Sequence, residues 1–119
     1  NLSFVAGSEA LAYYENDDFL KSVQEKGRYM EERLNNIVAN HKKLNFEVRG
    51  RGMMQGLDTH SPAIAKKIMA AAAKQRVIVG ACGTDGRVIK ACPPLTIEQE
   101  TLERGLDLLE AAVNEGVTQ

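Results

Sequence analysis

The chain has 119 residues, of which 44% are hydrophobic and 26% charged, with a formal net charge of −1. This length suffices for one domain with one hydrophobic core, and the composition excludes an intrinsically disordered chain. The balanced charge excludes a general nucleic-acid binder, because such domains concentrate lysine and arginine on one face. No apolar run approaches the length of a membrane span and no secretory signal is visible, so we expect a cytoplasmic protein that does not enter the membrane.

Helices dominate the first third of the chain. Residues 2–14 predict a helix with small residues on one side, at Ala6, Gly7 and Ala10. The segment Asn16-Asp17-Asp18 supplies side-chain oxygens that can cap a second helix, because they accept hydrogen bonds from the first free amides. Residues 19–40 predict that second helix, since their apolar residues recur every three or four positions.

Two short strands and a third helix follow in the middle of the chain. Residues 46–49 alternate between apolar and polar side chains and predict one strand, and residues 53–57 predict another. The glycines at positions 50 and 52 indicate a turn or bulge between them. Ser61-Pro62 indicates the start of a helix that extends to about residue 75, with proline in the first helical position.

Two more strands and a last helix complete the order. Residues 77–79 predict a short buried strand, and residues 80–86 a hairpin-like connection, because the Gly-Lys-Ser/Thr ending of a phosphate loop is missing. Residues 87–91 predict the next strand, which Pro93-Pro94 must end. Thr96 with Gln99 predicts a capping box for the last helix, whose inner face is formed by Leu102, Leu106, Leu109 and Val113. The order predicts a single α+β domain with helices on one face of a mostly antiparallel sheet.

Lys90 is the one candidate binding residue. It is a single cation inside the apolar strand predicted at residues 87–91, close to the point where that strand meets a loop. Such a position suits an anionic ligand. The alternative is a solvated lysine on an edge strand, where a charge opposes pairing between sheets. Two carboxylate pairs, Asp17 with Asp18 and Asp107 with Glu110, are placed at a helix cap and on a helix face, so we expect structural roles for them.

Cysteine and histidine give no catalytic or metal-binding candidates. Cys82 and Cys92 are too few for a disulfide scaffold and lack the paired spacing of zinc ligands, so we expect two buried free thiols. His41 and His60 stand alone in polar segments without a Cys-His or Ser-His pattern, and neither is assigned a role. The sequence thus predicts no catalytic, cofactor-binding or metal-binding residue in this chain.

Three segments resemble the C-terminal small domain of class-III aminotransferases, which are fold-type I enzymes that use pyridoxal phosphate. Residues 1–4 resemble the end of the family's Gly-Asn-x-Leu-(Ala/Ser) segment, residues 46–53 its Val-Arg-Gly-x-Gly-Leu stretch, and residues 89–95 its Ile-Arg-Phe-x-Pro-Pro-Leu stretch. Within the class, the Asn-Leu-(Ala/Ser)-Phe-Val start and the lysine before Pro-Pro-Leu-Thr-Ile are similar to the diaminobutyrate–2-oxoglutarate aminotransferases of ectoine biosynthesis. Those enzymes transfer the amino group of glutamate to aspartate semialdehyde, which gives 2,4-diaminobutyrate and 2-oxoglutarate.

The resemblance implies that residues 1–119 are the small domain of a longer enzyme, with an interdomain helix over residues 1–15 and an α+β body over residues 16–119. The absence of a methionine before Asn1 is in keeping with this expectation. The implied partners are a large pyridoxal-phosphate-binding domain and a second subunit. Much of the class has an arginine at the position of Lys90 that binds the carboxylate of glutamate or 2-oxoglutarate, so Lys90 is the implied substrate-binding residue.

The resemblance also implies where the cofactor is held. The family's Schiff-base lysine and the aspartate that pairs with the pyridinium nitrogen belong to the large domain, so we expect pyridoxal phosphate only in the parent enzyme and no activity from this chain alone. Two alternatives are a stand-alone ligand-binding or regulatory α+β module, and an interaction domain that dimerises through its sheet edge. Charge on an edge strand, here at Arg87 and Lys90, opposes dimerisation through that edge.

Overall fold

The computed structural model describes residues 1–118 and shows an α+β fold; residue 119, the last of the predicted body, lies outside the described residues. Its elements in chain order are the helices α1 (Leu2–Tyr14) and α2 (Asp17–Asn40), the strands β1 (Glu47–Arg51) and β2 (Met54–Asp58), the helix α3 (Pro62–Lys74), the strands β3 (Gly80–Cys82) and β4 (Val88–Ala91), and the helix α4 (Gln99–Thr118). A short 3-10 helix, Lys42–Leu44, lies between α2 and β1. The predicted order and fold class are confirmed.

The four strands form one antiparallel sheet with the order β1-β2-β4-β3. The hairpins β1–β2 and β3–β4 are joined side by side, because β4 pairs with β2 on one edge and with β3 on the other. The strand that carries Lys90 is therefore an inner strand, and the alternative of an edge-strand lysine is wrong. After β3 the chain turns back so that β4 lies between β3 and β2, and β3 is therefore an edge strand.

The helices cover one face of this sheet. Asn16 caps α2 through a 3.1 Å hydrogen bond from the Phe19 amide to its side-chain oxygen, and Ser61 caps α3 in the same way. Apolar stripes on the helices meet the strands in one core. Its buried members include Met30, Leu34 and Ile37 of α2, Leu57 and Ile89 of the sheet, and Leu102, Leu106, Leu109 and Val113 of α4. The predicted inner face of the last helix is confirmed.

An ion-pair cluster joins α2 to α4 at the surface. Arg33 donates to Asp107 over 2.7 Å and to Glu110 over 3.1 Å. The hydrogen bonds of Arg33 with Asp107 and Tyr29 raise the pKa of its guanidinium above its already high ordinary value. The structural role predicted for Asp107 and Glu110 is confirmed.

Four local predictions are wrong. Residues 77–79 form no strand, and Ile78 is 96% exposed. The strand β3 lies instead at residues 80–82, within the segment predicted as a hairpin-like connection. The Val77 amide donates to the Ala72 carbonyl over 2.9 Å, which ends α3 with Arg76 in the left-handed region. If the register of β3 with β4 continued to residue 77, Val77 would fall opposite Pro93, which has no amide to donate.

The predicted capping box at Thr96 is likewise absent. The Ile97 amide bonds to the Pro94 carbonyl, which closes a turn, and the first intrahelical bond of α4 joins the Leu102 amide to the Glu98 carbonyl. Leu95 and Ile97 of this segment pack against the core, and the helix begins after them, at Gln99.

The cysteines are not buried as predicted. Cys82 is half-buried and Cys92 is exposed, and both are free thiols. Cys82 lies on the edge strand β3, and Cys92 follows β4 next to the two prolines, so neither position is covered by a helix. Within residues 1–118, no helix combines the length and the apolar character needed to cross a membrane.

Helix α1 stands apart from the core. None of its residues is buried, and Leu2 and Phe4 are 87% and 78% exposed. Only its C-terminal end is anchored, through edge-to-face contacts of Tyr13 and Tyr14 with Phe19 of α2. The small-residue side predicted at Ala6, Gly7 and Ala10 is therefore uncovered.

Candidate functional site

The face of the sheet that the helices leave uncovered carries the polar side chains. Side chains alternate between the two faces of a strand, so Ile89 and Leu57 point into the core while their neighbours point away from it. We name this second surface the open face and define it by Glu47, Arg49, Gly56, Asp58, Gly80, Val88 and Lys90. Contacts across it support the assignment: Arg49 bonds to Asp58, and a side chain on Gly56 would meet Val88.

Lys90 lies in the middle of the open face with a glycine on either side. The strand register places Gly56 of β2 opposite Lys90 on one side and Gly80 of β3 on the other. The row continues to Arg49 of β1, which pairs with Gly56. Lys90 is exposed and makes no hydrogen bond or ion pair with any residue from 1 to 118. Its ammonium group is thus available to an anion that approaches the open face.

Arg49 of the open face and Arg87, by contrast, are bound to a buried carboxylate. Asp58 is fully buried, and one of its oxygens accepts a hydrogen bond from Arg49 Nε over 2.8 Å. Its other oxygen forms an ion pair with Arg87, whose Nε lies 3.1 Å away. The His60 amide adds a second hydrogen bond of 2.9 Å. Burial alone would raise the pKa of Asp58, but the His60 amide, the Arg49 hydrogen bond and the Arg87 charge outweigh it, so the pKa lies below its ordinary value.

Sequence reasoning missed this cluster. The sequence assigns no role to His60, yet its amide donates to Asp58, and its backbone has a positive φ of 54°. The pattern of an aspartate two residues before such an amide is typical of an Asx turn, and it was the available signal. The burial of Asp58 was not predictable locally, because its arginine partners lie on β1 and just before β4.

Three groups of this cluster lie close enough to consider a metal site. The ligand atoms of Glu47, Asp58 and His60 are within 4.8 Å of one another. Both oxygens of Asp58 are already engaged by guanidinium groups, and two positive charges at the same carboxylate oppose the binding of a cation. The geometry therefore supports an ion-pair network that holds β1, β2 and the start of β4 together, and not a metal centre.

The residues described here do not fit pyridoxal phosphate. Such a site needs a lysine, a partner for the pyridinium nitrogen and donors for the phosphate in one pocket. Seven of the eight lysines are exposed, and the half-buried Lys26 has its ammonium 3.4 Å from the Leu95 carbonyl. A cavity of about 270 Å³ beside α4 is lined by apolar and small residues and by no charged one. No reaction step through the cofactor can be built from these residues.

Comparisons with known proteins identify relatives of the whole chain. The family model described as Aminotransferase class-III matches residues 1–113. The uncharacterized aminotransferase y4qG of Sinorhizobium fredii (strain NBRC 101917 / NGR234) is 41% identical over 114 residues, which is 95% of this chain and 25% of the relative. The diaminobutyrate–2-oxoglutarate transaminase of Sporosarcina pasteurii is 40% identical over 121 residues, covering 100% of this chain and 28% of the relative.

Solved structures share the fold. A phospholyase from Arthrobacter, solved with phosphoethanolamine, superposes with a TM-score of 0.78 at 28% identity over 92% of this chain and 28% of its own. The lysine aminotransferase from M. tuberculosis gives a TM-score of 0.79 at 20% identity over 90% of this chain and 24% of its own, which shows the fold alone. The chain spans about a quarter of the length of the curated relatives it matches.

Proposed function

The chain belongs to the class-III aminotransferase family, and from this premise we propose that it is the C-terminal small domain of a transaminase acting on 2,4-diaminobutyrate and 2-oxoglutarate. Two diaminobutyrate–2-oxoglutarate transaminases, 39% and 40% identical over the whole chain, support the substrate pair. The proposal includes the ectoine pathway and a cytoplasmic location. In the parent enzyme, pyridoxal phosphate supplies the transfer chemistry, and a large domain and a second subunit complete the site.

The observation that carries the proposal is the unpaired Lys90 in the middle of the open face. Its role is to bind a carboxylate of glutamate or 2-oxoglutarate. The two arginines nearby cannot take this role, because Asp58 and Glu47 already hold them. A lysine presents a point charge on a flexible stem, whereas an arginine would bind the carboxylate through two parallel hydrogen bonds. We therefore expect one ionic contact of adjustable length at this position.

The family assignment also leads to an expected role for the domain as a whole. Helix α1 has an uncovered apolar surface, which suits contact with the large domain or the second subunit. The α+β body then presents its open face, and Lys90 with it, to the substrate site. This chain alone is expected to be inactive, because none of its lysines lies in a site that fits the cofactor.

The test is glutamate formation from 2,4-diaminobutyrate and 2-oxoglutarate with added pyridoxal phosphate. It is run on this chain and on the full-length product of its gene. Activity in the full-length protein alone supports the proposal. Activity in the isolated chain contradicts its dependence on a large domain, and activity in neither removes the substrate pair and returns attention to a stand-alone binding module.

The role of Lys90 is tested in the full-length enzyme by separate half-reactions. Lys90→Ala should slow the glutamate half-reaction about tenfold or more, while the diaminobutyrate half-reaction changes less. Lys90→Arg should retain most of the glutamate rate, because the charge is kept. Lys67→Ala, on the exposed side of α3, is the matched control. Equal losses in both half-reactions for Lys90→Ala would show that Lys90 supports the fold and does not bind the substrate.

A further inference from the structure

Gly80 has no reason in the fold to be a glycine. Its backbone does not adopt a positive φ, and it lies on the edge strand with its surface exposed. A Cβ built at Gly80 would have one neighbour within 4 Å, the Cε atom of Lys90 at 3.6 Å, which is an ordinary contact. A glycine inside a strand weakens the strand and often marks a place where another molecule approaches closely.

The other glycine beside Lys90 differs in this respect. A Cβ at Gly56 would lie 2.7 Å from the Val88 side chain and 3.2 Å from the Ile89 carbonyl oxygen, so packing alone requires a glycine there. Packing within the sheet thus explains why position 56 is a glycine. At position 80, the missing side chain leaves the space beside the aliphatic part of Lys90 empty. A side chain at position 80 would occupy that space and cover the lysine from the free edge of the sheet.

The charge of Lys90 leads to the same conclusion about position 80 as the free space beside its side chain. Residues directly opposite each other on neighbouring antiparallel strands interact, and opposite charges attract across such a pair. Gly80 is the residue of β3 that pairs with Lys90, so a carboxylate at that position would neutralise the ammonium group. With glycine there, the nearest cross-strand positions on both sides offer Lys90 no partner, and its charge is left for a ligand.

We propose that Gly80 is a specificity-determining residue, which keeps Lys90 unpaired and leaves room beside it for one carboxylate of a dicarboxylate substrate. The inference rests on the proposed function, since it takes Lys90 as the group that binds the substrate. Gly80 acts through Lys90 and through the space it leaves, and it contributes no contact of its own side chain. The substrate class is a small dicarboxylate such as glutamate or 2-oxoglutarate.

The experiment uses the full-length holoenzyme and three variants at one position. Gly80→Ala adds a methyl group, Gly80→Gln adds size without charge, and Gly80→Glu adds the same size with a negative charge. The affinity for glutarate, a dicarboxylate that cannot react, is measured by calorimetry, and KM is measured for 2-oxoglutarate and for 2,4-diaminobutyrate. Far-ultraviolet circular dichroism and thermal unfolding establish that each variant is folded, which the free space at position 80 makes the expected result.

Gly80→Glu should weaken glutarate binding about tenfold, and Gly80→Gln about threefold or less. KM for 2-oxoglutarate should rise in the same order, with a smaller change for 2,4-diaminobutyrate. Equal effects of Gln and Glu, or no effect of Glu, would overturn the inference. Lys90→Ala separates the two hypotheses: if it weakens glutarate binding and Gly80→Glu does not, only the role of Gly80 fails. If Lys90→Ala leaves glutarate binding unchanged, the proposed role of Lys90 fails as well.

Discussion

Arg87 forms an ion pair with Asp58 in which Nε lies 3.1 Å from Oδ1, and this pair ties the residue that precedes β4 to the end of β2. The Arg87 carbonyl accepts from the amide and the hydroxyl of Thr59, so the same two segments are also joined through the main chain. Arg49 of β1 forms a second ion pair with Asp58. The strand that carries Lys90 is therefore fixed at its start by a buried charge, while Lys90 itself stays unpaired.

Asp58→Asn should lower the free energy of unfolding by about 2 kcal/mol. The amide keeps the shape of the side chain but leaves Arg87 without its counter-charge and Arg49 with Glu47 alone. Removing one partner of a buried ion pair destabilises the fold, because the remaining charge loses its compensation. Both arginines are partly exposed, so water offsets part of the loss. Urea denaturation measures the change. Asp18→Asn, in the exposed first turn of α2, is the control and should cost less than about 1 kcal/mol.

The same carboxylate gives a prediction on pH. The pKa of Asp58 is lower in the folded protein than in the unfolded chain, so the unfolded chain binds the proton more tightly. The stabilisation is fully present above the ordinary value of about 3.9 and is lost as pH falls through the lower folded pKa. The difference in unfolding free energy between the natural protein and Asp58→Asn should shrink as the pH falls below about 4. A difference that stays constant down to pH 2 would contradict this assignment.

The helices could be predicted because their signals are local. The apolar stripes of α2 and α4 and the caps at Asn16 and Ser61 depend on residues within one or two turns. The absence of a strand at residues 77–79 could not be predicted, because their β-branched side chains indicate a strand whatever lies beside them. A strand there would continue the pairing of β3 with β4 and meet Pro93, which has no amide to donate, and the Val77 amide bonds to the Ala72 carbonyl instead.

The candidate site also has one feature that the local sequence predicts and others that only the assembled sheet shows. Lys90 was recognisable because a charge inside an apolar strand is a local anomaly. That it lies on an inner strand between two glycines depends on how the two hairpins join, and no pattern within residues 87–91 contains this information. The Asp58 cluster brings together residues from β1, β2 and the segment before β4, so only the assembled sheet reveals it.

Two glycine substitutions in helices should have opposite effects. A Cβ at Gly27 of α2 would lie 2.9 Å from the backbone of Gly52, so Gly27→Ala should lower the free energy of unfolding by about 1–3 kcal/mol. The Gln55 amide bonds to the carbonyls of Gly27 and Gly52 over 2.8 and 2.6 Å, which prevents the turn from moving away. Gly105 of α4 has nothing within 4 Å of its Cβ position, so Gly105→Ala should raise stability by about 0.5–1 kcal/mol. Urea denaturation of both variants checks the pair, and a shared sign would refute the packing argument.

Helix α1 should make this chain self-associate when it is studied alone. Leu2, Phe4, Val5 and Leu11 are exposed on a helix whose only charged residue is Glu9, and exposed apolar surfaces of this kind favour association. Light scattering should show dimers or larger species at micromolar concentration. The double variant Phe4→Ser with Leu11→Ser should shift the chain to monomers without lowering the unfolding free energy of the body, because neither side chain touches the core.

The matched control for that experiment lies at the other end of the helix. Tyr13 and Tyr14 pack on Phe19 with ring centroids 5.2 and 6.4 Å apart, so Phe19→Ala should detach α1 from α2 while leaving its apolar surface in place. Self-association should persist in Phe19→Ala and disappear in the double serine variant. A monodisperse monomer for the unmodified chain, with α1 still protected from proteolysis, would mean that the helix folds back and buries its own surface, and the contact proposed for it in the parent enzyme would lose its support.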